Sequence, residues 1–248
     1  MSILDDLISA LPGDAPAREV RVGAFWTAVW SRSCGLASTL GAGDHEHGAT
    51  FVAEAGRLQG RSARELASLA HSQSTLEAGI GLAAINSLLE LDETQCVELN
   101  AGQFLIQRAP GKKVALVGHF PFVPELRRAA GRLWVIDMHP AAGDLGPEEE
   151  AALIPEADLV AITGSALANH TLEGLLTQCR RGSLVMVLGP TAPLSPVLFD
   201  FGVDVISGTQ VVEPERALRC VSQGAVFRQV EGVRLLSMRR SGSLDEPG

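Results

Sequence analysis

Tyrosine is absent from the 248 residues, and lysine occurs only twice, at the adjacent positions Lys112 and Lys113. Eighteen of the twenty basic residues are therefore arginine. These shortages exclude defined chemistries. No glycine-rich loop ends in Lys-Ser/Thr, which removes the ordinary P-loop nucleotidases. A Tyr–Lys proton-transfer pair cannot exist. An imine-forming amine would have to come from Lys112 or Lys113, in a solvated turn that does little to depress an amine pKa. The four cysteines, Cys34, Cys96, Cys179 and Cys220, lie far apart with no CxxC, so neither a zinc knuckle nor a disulfide framework is encoded. No apolar run approaches the ~18 residues that span a bilayer. The opening string MSILDDLISALPGD carries acids where a secretion signal has basic residues. The expected location is cytoplasmic, with no membrane partner. A net charge of −9 argues against a nucleic-acid partner, which needs a clustered basic face.

What is present is apolar: 46% of the residues are hydrophobic, enough to bury a sizeable core. After Pro110-Gly111 short runs rich in Val, Ile and Leu recur at 112–119, 132–139, 157–165, 182–190 and 201–208. Continuous apolar strands alternating with helix-like segments predict a parallel sheet covered on both faces, a Rossmann-like α/β domain over residues 110–248. Before that hinge, residues 19–31 and 33–39 read as two strands joined by a tight turn, followed by two helices over 62–72 and 74–91. Ser74 with Glu77 three residues later has the spacing of a capping box. Leu76, Ile80, Ala83, Ala84 and Leu88 fall on one helical stripe. Strands followed by helices predict a small α+β domain over residues 1–109.

Ligands of open parallel sheets sit beyond the carboxyl ends of the strands, near the topological switch point. The residues just after each expected strand are therefore the candidates. The first strand ends in Gly118-His119-Phe120-Pro121, without the GxGxxG dinucleotide fingerprint. The second ends in Asp137-Met138-His139, with Asp137 near the position of a ribose-binding carboxylate. The third ends in Thr163-Gly164-Ser165 and continues to Asn169-His170, where Asn169 can cap the next helix or meet a ligand. The fourth ends in Gly189-Pro190-Thr191. Asn86 and Ser87, at the end of the long N-terminal helix, can contribute from the other half. His119, His139 and His170 all fall on one expected edge, so His119, His170 and Asp137 are the candidate metal ligands. Asp44-His45-Glu46-His47 is the most metal-like local string, with both imidazoles on one side of an extended backbone. Cys34 would be a soft ligand as a thiolate and a small buried hydrophobe otherwise.

Taken together, Gly35-Leu36-Ala37-Ser38-Thr39, residues 79–87 (GIGLAAINS), Val117-Gly118-His119-Phe120-Pro121, residues 162–167 (ITGSAL), Asn169-His170-Thr171-Leu172 and Leu188-Gly189-Pro190 resemble the domain of unknown function 364, described as "putative heavy-metal chelation", whose N-terminal half has a companion family of the same description. The resemblance implies an enolase-N-terminal-like half joined to a Rossmann-like half, with the site in the cleft between them. Two functions follow. One is a binding protein for a metal ion or metal chelate, a transition or heavy metal or another small molecule, held by Gly118, His119, Asp137, Thr163, Gly164, Ser165, Asn169 and Thr191 with Asn86 facing them. The other is an enzyme using NAD or S-adenosylmethionine, with His119 or His170 as acid/base. A homodimer is the expected protein association. The cleft has no lysine at any strand end, so backbone amides, hydroxyls, imidazoles and Asp137 must hold whatever binds.

Overall fold

The computed structural model describes residues 2–41 and 50–240; the Asp44-His45-Glu46-His47 string lies outside the described residues. Helix α1 (Ile3–Ser9) opens the chain, capped by the Ser2 hydroxyl on the Asp5 N–H. Residues 19–31, expected as one strand, form two. β1 (Glu19–Val22) and β2 (Trp26–Trp30) are antiparallel neighbours, and β2 pairs in turn with β3 (Cys34–Ser38). The extra turn lies at Gly23, whose N–H donates to the Trp26 carbonyl (2.8 Å). Only glycine fits there, because a Cβ would stand 2.3 Å from the Val221 carbonyl oxygen.

Two helices follow, α2 (Ala63–Ala67) and α3 (Thr75–Leu88). Ser74 caps α3 through the Glu77 N–H, as its spacing predicts. The Glu77 carboxylate does not close the box. It accepts instead from the Ser72 hydroxyl (2.6 Å) and the Ala53 N–H (2.9 Å). From Ala78 to Ile85 every residue of α3 is buried, so the helix is apolar on nearly all sides rather than along one stripe. Small residues allow this. A Cβ on Gly81 would meet the Ala70 nitrogen at 2.0 Å, and one on Gly35 of β3 would meet the Ala83 carbonyl oxygen at 2.1 Å.

The larger sheet has seven strands: β4 (Cys96–Val97), β5 (Lys113–Val117), β6 (Arg132–Ile136), β7 (Leu159–Thr163), β8 (Leu184–Leu188), β9 (Val205–Val211) and β10 (Val233–Arg239). Their order is β4-β10-β9-β8-β7-β5-β6. The five strands expected from the apolar runs are the parallel ones, while β10 runs antiparallel to β9 and β4 closes the edge. Side chains alternate between two cores. Val114 and Leu116 of β5 pack with Phe104 of α4 (Ala101–Arg108) and Leu126 of α5 (Val123–Ala129). Ala115 and Val117 join the opposite cluster, which also holds Leu172 and Leu175 of a later helix (Leu172–Gln178) and Ile80 and Leu82 of α3. One continuous core thus joins the three-stranded layer to a face of the larger sheet. Pro110-Gly111 forms the turn between α4 and β5, and α4 and β4 on its N-terminal side already belong to the larger sheet and its cover.

Counted from β5, the parallel strands lie in the doubly wound order 2-1-3-4-5 and not in the 3-2-1-4-5-6 order of dinucleotide-binding folds. The order reverses between β5 and β7, so the crevice falls beyond Val117 and Thr163. No helix among the described residues is long and apolar enough to cross a membrane.

Candidate functional site

Gly118 follows β5 with φ +101, and its N–H donates to the Ile136 carbonyl (2.8 Å). A Cβ there would come within 3.0 Å of the Thr163 Cβ, so glycine brings the ends of β5 and β7 together. The Thr163 hydroxyl lies 2.8 Å from that of Ser165 and also accepts the Ser165 N–H (3.3 Å). Gly164 presses on the loop after β8, where a Cβ would stand 2.4 Å from the Ala192 nitrogen. Gly118, Thr163, Gly164 and Ser165 are thus gathered at the switch point, as their positions predict.

His119 stands beside them, its ring 47% exposed and its Nδ1 2.6 Å from Asp144 Oδ2. The Asp144 side chain is 2% exposed and has Arg127 at 3.7 Å. Asp144 is the residue that the sequence reading missed. Its only local signal is a carboxylate beside Gly143 in the loop after β6, eight residues past the strand end at Ile136. Asp137, which that reading favoured, accepts the His139 N–H (2.8 Å) and closes a local turn.

Three other candidates work as framework. Thr191 is buried and its hydroxyl accepts the Ser38 N–H (2.8 Å). Asn86 Nδ2 donates to the carbonyls of Leu36 (2.9 Å) and Thr191 (3.2 Å). Both therefore stitch α3 and β3 to the loop after β8. Asn169 accepts the Thr171 hydroxyl (2.8 Å) and N–H (3.3 Å), which holds the entry to the helix at Leu172. Between them His170 takes φ +60, and its Nε2 meets the Ser72 carbonyl (2.9 Å).

A cavity of about 200 Å³ lies between the two layers, beyond the end of β8 and against the last three residues of β9. Ser33, Cys34, Asn86, Ala192, Thr209 and Gln210 line it. Leu89 and Leu194 form a wall shared with a neighbouring groove of about 520 Å³ along Pro196 and Phe199. The Thr209 hydroxyl oxygen is buried without a hydrogen-bond partner. At ~4.8 Å per strand, the three steps from β9 to β5 set the β9 wall of this cavity about 14 Å across the sheet from β5.

Burial pushes the Cys34 thiol up to about 12, so it stays protonated at neutral pH and behaves as a small hydrophobe. Iodoacetamide at pH 8 is expected to leave Cys34 unmodified in the folded protein and to label it once urea unfolds the chain. Peptide mass mapping checks this; labelling at equal rates in both states would refute the assignment.

The donor chemistry decides which ligand class fits. Among the described residues no three His, Cys, Asp or Glu side chains are grouped to hold a metal ion. The expected metal ligands point to separate partners: His119 to Asp144, His170 to Ser72 and Asp137 to the His139 backbone. These side chains do not fit a bare ion caged by the protein. The cavity is lined by hydroxyl and amide side chains, Ser33, Asn86, Thr209 and Gln210, and not by carboxylates or imidazoles.

Fold and strand-end geometry define a doubly wound α/β protein with an added α+β layer. The chain belongs to the DUF364 family: that family's model, described as "putative heavy-metal chelation", matches residues 100–238. A second model of the same description, DUF4213, matches residues 4–89. An uncharacterized protein of Methanocaldococcus jannaschii is 30% identical over 165 residues, which is 64% of this chain and 64% of that relative's length. The crystal structure of a DUF364 protein with unknown function from Desulfitobacterium hafniense is similar at TM-score 0.81 and 27% identity, covering 96% of this chain and 97% of that one. A DUF364 protein with unknown function from Pyrococcus horikoshii shares the fold at TM-score 0.80 and 20% identity, covering 96% of this chain and 98% of that one.

Proposed function

We propose that the chain is a binding protein for a small polar organic molecule, of the kind that can itself carry a metal, held in the cavity between the two layers. The observation that carries this reading is the cavity's mixed lining, in which Ser33, Asn86, Thr209 and Gln210 stand beside the apolar Leu89, Ala192 and Leu194. The family description supports metal chelation, and the absence of a three-residue cage among the described residues favours a metal that arrives already chelated over a bare ion.

The test separates binding from stability. Thr209→Val removes the orphan oxygen at nearly constant volume, so the ligand-free variant is expected to be more stable by about 1 kcal/mol, a Tm rise of roughly 2–4 °C. Native mass spectrometry of the untagged protein, with elemental analysis of the same sample, is expected to find a small organic ligand on the natural chain and none on the variant. A variant that loses stability, or keeps the same ligand occupancy, would refute the reading.

A further inference from the structure

At the opposite end of the larger sheet, two arginines share one aromatic ring. The Arg108 guanidinium lies 4.0 Å from the centre of the Phe104 ring, and that of Arg239 lies 5.6 Å from it. Phe104 is buried, and Arg108 follows it by one helical turn at the end of α4. Arg239 ends β10, opposite Val205 at the start of β9. The pair therefore stands at the amino ends of the parallel strands, whereas Gly118 and Thr163 mark the carboxyl ends. Among the described residues neither guanidinium has a carboxylate as an ion-pair partner, although the chain carries 29 acidic residues against 20 basic ones. Arg21, Arg32, Arg61, Arg180 and Arg234 each face one. Even Arg240, the next residue, pairs with Asp204. Burial first, and then the Arg239 charge, lower the Arg108 pKa, so a half-buried cation has a like charge beside it and no opposite one. An aromatic face attracts a cation but does not neutralise it. Two cations held this way are set up for an anion.

We propose that Arg108 and Arg239 form a binding site for a dianionic phosphate group, separate from the cavity between the layers and independent of the ligand assigned there. A phosphate monoester carries a charge of about −2 above its second pKa of about 6, which matches two guanidiniums. Each planar fork can present two parallel N–H donors to phosphate oxygens. A carboxylate, with a single charge and two oxygens, satisfies only one fork. The site is also pre-organised. Arg108 leans on a buried ring, and Arg239 is carried by a strand paired with β9 along its whole length, so little freedom is lost on binding.

Arginine ¹³Cζ–¹⁵Nε NMR signals of the full chain read each guanidinium separately. The probes are inorganic phosphate and methyl phosphate, titrated at constant ionic strength and about pH 7.5, where both are mainly dianionic. The Arg108 and Arg239 signals are expected to shift together and saturate with one dissociation constant, while those of the carboxylate-paired arginines stay in place. Equal affinity for the two probes assigns the site to free phosphate, and tighter binding of methyl phosphate assigns it to a monoester. Acetate is expected to bind roughly tenfold more weakly than either. Arg239→Gln is expected to abolish the saturable shift of Arg108, with the fold intact by circular dichroism. Arg239→Lys, which keeps the charge and loses the fork, is expected to weaken binding roughly tenfold. Equal shifts of all exposed arginines, or an Arg108 response that survives Arg239→Gln, would overturn the site. So would Arg108 and Arg239 signals that ignore phosphate and move on Asp245→Asn with Glu246→Gln, because the chain's own acids would then be their partner.

Discussion

Gly35→Ala is expected to destabilise the protein by about 3 kcal/mol, the upper part of the range for forcing extra volume into a packed core. The added Cβ would stand 2.1 Å from the Ala83 carbonyl oxygen, 2.5 Å from the Ser87 nitrogen and 2.8 Å from the Asn86 carbonyl carbon. All three atoms belong to the backbone of α3, so no side chain can rotate out of the way. The strand cannot retreat either. β3 is held to β2 by five register pairs from Trp26↔Ser38 to Trp30↔Cys34. Relief therefore requires β3 and α3 to separate, which opens the core that contains Ile80, Ala83 and Ala84. For a chain of this size each kcal/mol moves Tm by roughly 2–4 °C, so the drop is about 6–12 °C. Gly174→Ala is the control of opposite sign. Gly174 sits in an exposed helical turn with nothing within 4 Å of a built Cβ. Alanine there is expected to add roughly 0.5–1 kcal/mol by restricting the unfolded chain and favouring helix. Thermal and urea unfolding of the two variants side by side read both effects. A Gly35→Ala loss under about 1 kcal/mol would mean that strand and helix are not in contact through this glycine.

The same contact explains what was legible in the sequence. The five parallel strands were readable because a strand buried on both faces is a continuous Val, Ile and Leu run. β10 was not, since Val233–Arg239 ends in arginine and leaves Leu235 exposed. β4 is only two residues long and takes its strand character from pairing with Ser237 and Met238. The turn at Gly23 hid inside an apolar stretch, because its cause is the Val221 carbonyl almost two hundred positions away. At the site, glycines at strand ends were informative: Gly118 and Gly164 are where neighbouring strand ends meet. The hydroxyl and amide roles were not, because hydrogen bonding to a ligand and to a distant strand require the same residue types. Asn86 reaches Thr191 across 105 positions and Ser38 reaches it across 153, separations that no local spacing encodes. Asp144 was hidden for a related reason: burial selects it over the more prominent Asp137, and burial is a property of the folded loop.

Thr191→Val tests whether that residue is framework. Its hydroxyl accepts the Ser38 N–H at 2.8 Å and lies 3.0 Å from the Ser38 hydroxyl, in a fully buried position. Valine keeps the shape but leaves the Ser38 N–H without an acceptor beneath the loop after β8. The cost of orphaning a buried donor is about 2 kcal/mol, or a Tm loss of roughly 4–8 °C. Thr191→Ser restores the acceptor and is expected to lose under ~1 kcal/mol, the part owed to one missing methyl. The Ser38 N–H belongs to the backbone and survives Ser38→Ala, whereas the hydroxyl–hydroxyl contact does not. A double-mutant cycle of Ser38→Ala with Thr191→Val therefore isolates the side-chain link alone, expected at about 1 kcal/mol of coupling. If Thr191 instead spends its hydroxyl on a ligand, the ligand-free Thr191→Val protein would be as stable as the natural chain and the coupling would vanish. A loss of stability in the ligand-free state, rescued by serine, therefore assigns Thr191 to the joint between β3 and the strand ends.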